Sequence, residues 1–163
     1  MLSLWHHYGI LELIQVQGFK RDSRWIAQVL GIGVDEVNVA LQRLVRLGLL
    51  VMSSRDSWID QSGDAEFRSG ALTESARNQA NQDAHELAME AIRSIPSQHR
   101  VHRQAILAIE SKKLSQFAKL VDGFMNELQS LASESNSRDD VYLMEVSFLP
   151  VTTLKKKPGE KNG

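Results

Sequence analysis

Asp22 to Asp60 reads DSRWIAQVLGIGVDEVNVALQRLVRLGLLVMSSRDSWID, and the order of caps, glycines and apolar residues in it decides the fold. Asp22 has the side chain of an N-cap, and behind it Trp25, Ile26, Val29 and Leu30 share one helical face. Gly31 and Gly33 supply a tight turn. Asp35 is the expected N-cap of a second helix, with Val34 and Val39 at the positions of a hydrophobic staple. Val37, Ala40, Leu41, Leu44 and Leu47 give that helix a buried stripe, and Gly48 stands where a left-handed residue would end it. Leu49 to Met52 and Trp58 to Asp60 then read as two strands around the polar tip SSRDS. Two helices joined by a glycine turn and followed by a hairpin form the pattern of a winged helix-turn-helix.

That pattern points towards DNA. A helix-turn-helix lays its second helix in the major groove, and the face opposite the buried stripe carries Asn38, Val39, Gln42, Arg43 and Arg46. Asn and Gln pair bidentately with adenine and Arg with guanine, while Arg55 at the wing tip is placed to meet a phosphate or a minor groove. Asp35 and Glu36 argue the other way, because carboxylates at the approaching end of the helix repel the DNA backbone. The same polar residues also fit the solvated side of an amphipathic helix, since a fold does not fix a function.

Composition narrows the classes. The chain has 163 residues, enough for one sizeable domain or two small ones, and the apolar and charged fractions of a globular protein. It contains no cysteine, which excludes a disulfide framework, thiolate metal sites and a cysteine nucleophile, and is compatible with the cytoplasm. The formal net charge of -1 means that affinity for nucleic acid must come from charge segregated onto one face, or from a dimer that doubles a modest patch. The opening MLSLWHHYGILELIQV has no basic leader and is interrupted by His6, His7 and Glu12, so neither an export signal nor a membrane span is expected.

Outside the quoted stretch, Leu4 to about Gln15 has the stripes of an opening helix, closed by Gly18, that should lie in the core beneath the winged unit. His6 and His7, about 100° apart on a helix, are unsuited to joint metal ligation and are expected at the surface or as satisfied boundary residues. Residues 61–70, QSGDAEFRSG, have the composition of a connector. A helix is expected from the N-cap Thr73 to Ile95, stopped by Pro96, with alanines spaced for close approach to the winged unit or to a second chain. RQAILAI at 103–109 reads as a buried strand. Leu114, Phe117, Val121, Phe124, Leu128 and Leu131 mark a further helix. Val141 to Leu149 alternates as a closing strand, with Tyr142, Met144, Val146 and Phe148 on one face. Two strands alone leave open edges, so two copies are expected to pair through this half.

The sequence offers little for catalysis. His85-Glu86 starts like a zinc-protease helix, but Met89 stands where the second histidine must be. His99 and His102 lack a partner to complete a metal site, and Gly31-Ile32-Gly33 lacks the third glycine and preceding strand of a dinucleotide fingerprint. No catalytic residue, cofactor or metal ligand is assigned.

The segments WIAQVLGIGVDEVNVALQRLVRLGLL, HRQAILAIESKKL and DDVYLMEVSFLPVT together resemble a bacterial paralogous family that carries a domain of unknown function and is read as one of transcription regulators. The resemblance runs to about Thr153, and the first half is also similar to winged-helix regulators of the multiple-antibiotic-resistance type. Many members of the family are expected to carry another helix-turn-helix upstream; if that segment supplies DNA contact in them, the winged unit here would be an interaction platform that has kept the fold and not the activity.

The expectation is therefore a mainly α protein with a small β component (α+β). Residues 1–60 form a winged helix-turn-helix, 61–70 a connector, 71–153 a helix-strand-helix-strand dimerisation or regulatory half, and 154–163 a disordered basic tail. Its expected role is that of a cytoplasmic, homodimeric, DNA-binding transcription regulator using Asn38, Gln42, Arg43, Arg46 and Arg55. The alternative is a non-enzymatic protein-protein interaction module that keeps the fold without binding DNA.

Overall fold

The apolar periodicity of the first 46 residues folds into three helices whose stripes meet in one core. The computed structural model describes residues 4–54, 57–62 and 73–152. Helix α1 spans Leu4–Leu13, α2 Ser23–Leu30 and α3 Val34–Arg46. A hairpin of β1 (Leu50–Ser54) and β2 (Ser57–Asp60) follows, then α4 (Glu74–Ser94) and α5 (Leu114–Ser133), with single 3-10 turns at Ser97–His99 and Ser111–Lys113. The molecule is mainly helical with a small antiparallel sheet, an α+β arrangement.

Local chemistry sets the helix ends. Asp22 caps α2, its Oδ1 accepting from the Trp25 N–H at 2.8 Å. Gly31 closes α2 at φ 68°, left-handed backbone open to glycine without strain, and the Ile32 N–H bonds the Ala27 carbonyl at 3.0 Å. The N-cap of α3 is Gly33, not Asp35. Glu36, three residues on, turns its Oε2 back to accept from the Gly33 N–H at 2.8 Å, so the helix starts before Asp35 is reached. The staple positions shift with the cap, from Val34 and Val39 to Ile32 and Val37, which both join the core. Gly48, at φ 71°, ends α3 as expected, with the Leu49 N–H returning to the Leu44 carbonyl at 3.0 Å.

Ile10, Leu11 and Leu13 of α1, Ile26 and Ala27 of α2, Val37, Ala40, Leu41 and Leu44 of α3, and Leu50 of β1 form the core. Val29 is half exposed and Ala27 takes the buried place on α2; Leu47 lies beyond the last turn of α3 and is 60% exposed. Strand β1 runs antiparallel to β2 with Val51 opposite Ile59 and Met52 opposite Trp58, and the register slips between Met52 and Ser54. Both strands therefore reach further towards the tip than expected.

His6 and His7 are buried, contrary to the surface or boundary place expected of them. Their helix is sunk on several sides, so adjacent positions both face protein. The His6 ring meets Trp5 edge-on with centroids 4.4 Å apart, and its Nδ1 is enclosed without a hydrogen-bond partner. Burial holds the His6 imidazole below its ordinary value of 6.5, against the opposing pull of Glu36 and Asp83.

Thr73 caps α4 as expected, its Oγ1 accepting from the Ala76 N–H at 3.2 Å, and the helix ends one residue before Ile95-Pro96. Residues 103–109 and 141–149 form no strand, which corrects the helix-strand-helix-strand reading of this half. A strand exists by virtue of a neighbour that takes its backbone bonds, and neither segment has one among the described residues. Residues 138–148 are instead fastened piecemeal. The Gln17 N–H donates to the Arg138 carbonyl at 2.7 Å, Arg138 reaches Gln15, Val141 touches the N-terminal core, and Phe148 stacks on Phe117 with centroids 5.0 Å apart. Most of the connector and all of the tail from residue 153 lie outside the described residues.

Leu44→Ala should cost about 2–5 kcal/mol in urea unfolding, because it empties the centre of the α3 stripe. The neutral, buried His6 contributes stability that is fully present above pH 6.5. It is lost as the pH falls below that value, because the unfolded chain then binds a proton that the folded chain resists. His6→Leu should flatten the pH dependence of the urea midpoint between pH 7.5 and 5.5; an unchanged slope would place its origin elsewhere.

Candidate nucleic-acid interface

With Val37, Ala40, Leu41 and Leu44 turned inward, helical geometry turns Asp35, Val39, Gln42 and Arg46 outward. Asn38 lies on one flank of this ridge and Arg43 on the other. Asn38, Gln42 and Arg46 are exposed, and Arg43 is half-buried. Four of the five residues expected to contact DNA thus share the outer surface of one helix; Arg55 lies outside the described residues.

Asn38 is braced. Ser23, first residue of α2, donates its hydroxyl to Asn38 Oδ1 at 2.8 Å. A carbonyl oxygen keeps a second lone pair and the amide keeps its two N–H donors, so the bond fixes the side chain without using up its capacity to pair. The partner lies 15 positions away in sequence. A serine directly after an N-cap aspartate carries no local sign of that role.

The same bond brings α2's entry beside the α3 ridge, and with it Lys20, Arg21 and Arg24, all exposed and outside the set that the sequence pattern marked. Three cations within five residues were the signal available for them. Over residues 20–46 the chain carries five cations, Lys20, Arg21, Arg24, Arg43 and Arg46, against three carboxylates, Asp22, Asp35 and Glu36, a local net of +2 where the whole chain is -1. Two of those carboxylates are engaged as caps: Asp22 on the Trp25 N–H and Glu36 on the Gly33 N–H. Among the described residues none of the five cations forms an ion pair.

The acidic start of α3 therefore has a structural account. Glu36 bonds the N-cap, and Asp35 occupies the first turn, where the positive end of the helix dipole favours a carboxylate. Val39 and Val45 stand 46% and 44% exposed on this surface, apolar points among the polar ones.

Among known protein families, residues 1–151 match the one described as Domain of unknown function (DUF4423). The chain belongs to this family. The DUF4423 match spans the three-helix unit, the hairpin and the C-terminal half together. No curated protein and no solved structure matches the chain. No described helix of this DUF4423 protein is long and apolar enough to cross a membrane.

Removing the α3 cap with Glu36→Ala should cost about 0.5–2 kcal/mol and speed hydrogen exchange at the first-turn amides, while Asp35→Ala has a smaller effect. Equal losses for the two variants would mean that the helix dipole, and not the bond to Gly33, holds that end.

Proposed function

We propose that this protein is a DNA-binding transcription regulator whose N-terminal unit is a winged helix-turn-helix, acting in the cytoplasm as a homodimer and without enzymatic activity. The outward ridge of α3 carries this reading. It presents Asn38, Gln42 and Arg46 to solvent, with Arg43 on its flank and no carboxylate bound to either arginine among the described residues. Asn38 and Gln42 have the donor and acceptor pairs that read adenine, and Arg46 is suited to guanine or a phosphate. Ser23 keeps Asn38 in place before DNA arrives, which lowers the entropy lost on binding. Lys20, Arg21, Arg24 and Arg43 would attract the backbone on either side, and Arg55 would reach it from the wing.

The exposed Val39 and Val45 favour a second reading, a protein-interaction module that docks a partner through the same helix. The two readings separate on salt. DNA contact through cations releases counterions and makes affinity fall steeply with ionic strength, whereas an apolar docking face is nearly indifferent to it.

Retention of particular genomic fragments at physiological salt should accompany this activity. Arg43→Ala with Arg46→Ala should reduce the slope of log affinity against log salt by about 2, since each phosphate left without its cation lowers it by about 0.9. Asn38→Ala should relax preference at one base position by about 1–3 kcal/mol and leave the salt slope intact. No retained fragment even at low salt would reject the regulator and leave the docking module.

A further inference from the structure

We propose that residues 103–110 form a β-strand that pairs antiparallel, about a two-fold axis, with the same segment of a second copy of this chain. The inference concerns the C-terminal half and stands independently of what α3 binds.

The surface is too large for a monomer. A folded monomer of 18.3 kDa exposes about 8,100 Å², whereas this chain exposes 13259 Å². Granting every residue outside the described stretches the full area of an unfolded chain removes about 4,000 Å², and the described residues still carry about 2,000 Å² more than a monomer of their mass. Two copies burying that excess would share about 4,000 Å², within the range of permanent homodimers.

The excess lies in the C-terminal half. No side chain of α4 or α5 is buried, and every residue from Val101 to Leu114 is exposed, with Ile106 at 90% and Leu107 at 57%. Ala105 to Ile109 is thus a run of five exposed apolar residues with no strand neighbour among the described residues. Such a run attracts another strand edge, and the edge always present at the chain's own concentration is its own copy.

The charges favour self-pairing as well. The apolar run is flanked by Arg103 before it and Glu110 after it. The antiparallel register that sets Ile106 across from the partner's Leu107 sets Ala105 across from the partner's Ala108 and Arg103 across from the partner's Glu110. By symmetry the same pair recurs at the other end. Glu110 is already turned towards cations, with Lys112 at 2.6 Å and Lys113 at 3.1 Å. Those exposed pairs contribute little, so they do not compete with an inter-strand partner.

The test is the mass of the full chain in solution by light scattering and sedimentation equilibrium, from about 1 to 50 μM, a span that resolves a dimer in the micromolar range or tighter. The wild type should run at twice its chain mass. Arg103→Glu alone and Glu110→Arg alone each set like charges opposite one another at both ends, and each should weaken the dimer about ten-fold. The two reversals together should restore it, which no heterologous contact would do. Ile106→Lys should give a monomer whose Trp25 and Trp58 fluorescence stays native, because those residues pack against the N-terminal core. A monomer throughout the wild-type range would overturn the proposal, as would a dimer in which the double reversal is no tighter than the singles.

Discussion

Everything on the outside of α3 follows from what its inside must do. Val37, Ala40, Leu41 and Leu44 have no other place to leave water than the hollow between α1, α2 and β1, where Ile10, Leu11, Ile26 and Leu50 wait. Once that stripe is seated, a 100° rotation per residue leaves no freedom in where Gln42 and Arg46 point. The presentation of the ridge is thus a consequence of hydrophobic packing on the opposite side of the same helix.

Electrostatics is arranged around that constraint. Asp35 stands exposed on the ridge itself, in the first turn where the helix dipole favours a carboxylate. Asp22 and Glu36 are instead turned inward onto backbone N–H groups, where each satisfies a donor that helix geometry leaves unpaired. The cations around them have no such engagement among the described residues and remain turned to solvent. A chain of net charge -1 carries a local net of +2 over residues 20–46 because five cations and three carboxylates fall within that stretch.

The two halves of the chain differ in how they satisfy themselves. The N-terminal half closes its own core, and its two strands take each other's backbone bonds. The C-terminal half has good helical periodicity and no buried side chain in either helix. Its segments are tied to one another by contacts such as His85 to Glu145 at 2.5 Å and Phe117 on Phe148, and to the N-terminal half through Gln17 and Arg138 and through Val141. Apolar patterning without burial leaves this half with no closed core of its own among the described residues.

The sequence by itself determined the features that depend on a few consecutive residues. The Asp22 and Thr73 caps, the turn at Gly31, the left-handed Gly48, the α3 stripe from Val37 to Leu44 and the hairpin were all readable, because each is settled within one helical turn or one strand pair. What only the tertiary structure decided depends on distant residues: the burial of His6 and His7, and the bond from Ser23 to Asn38. The unmade strands at 103–109 and 141–149 belong to the same class. Alternation states which side chains share a face, but a strand needs a neighbour, and no residue within the segment can say where that neighbour comes from.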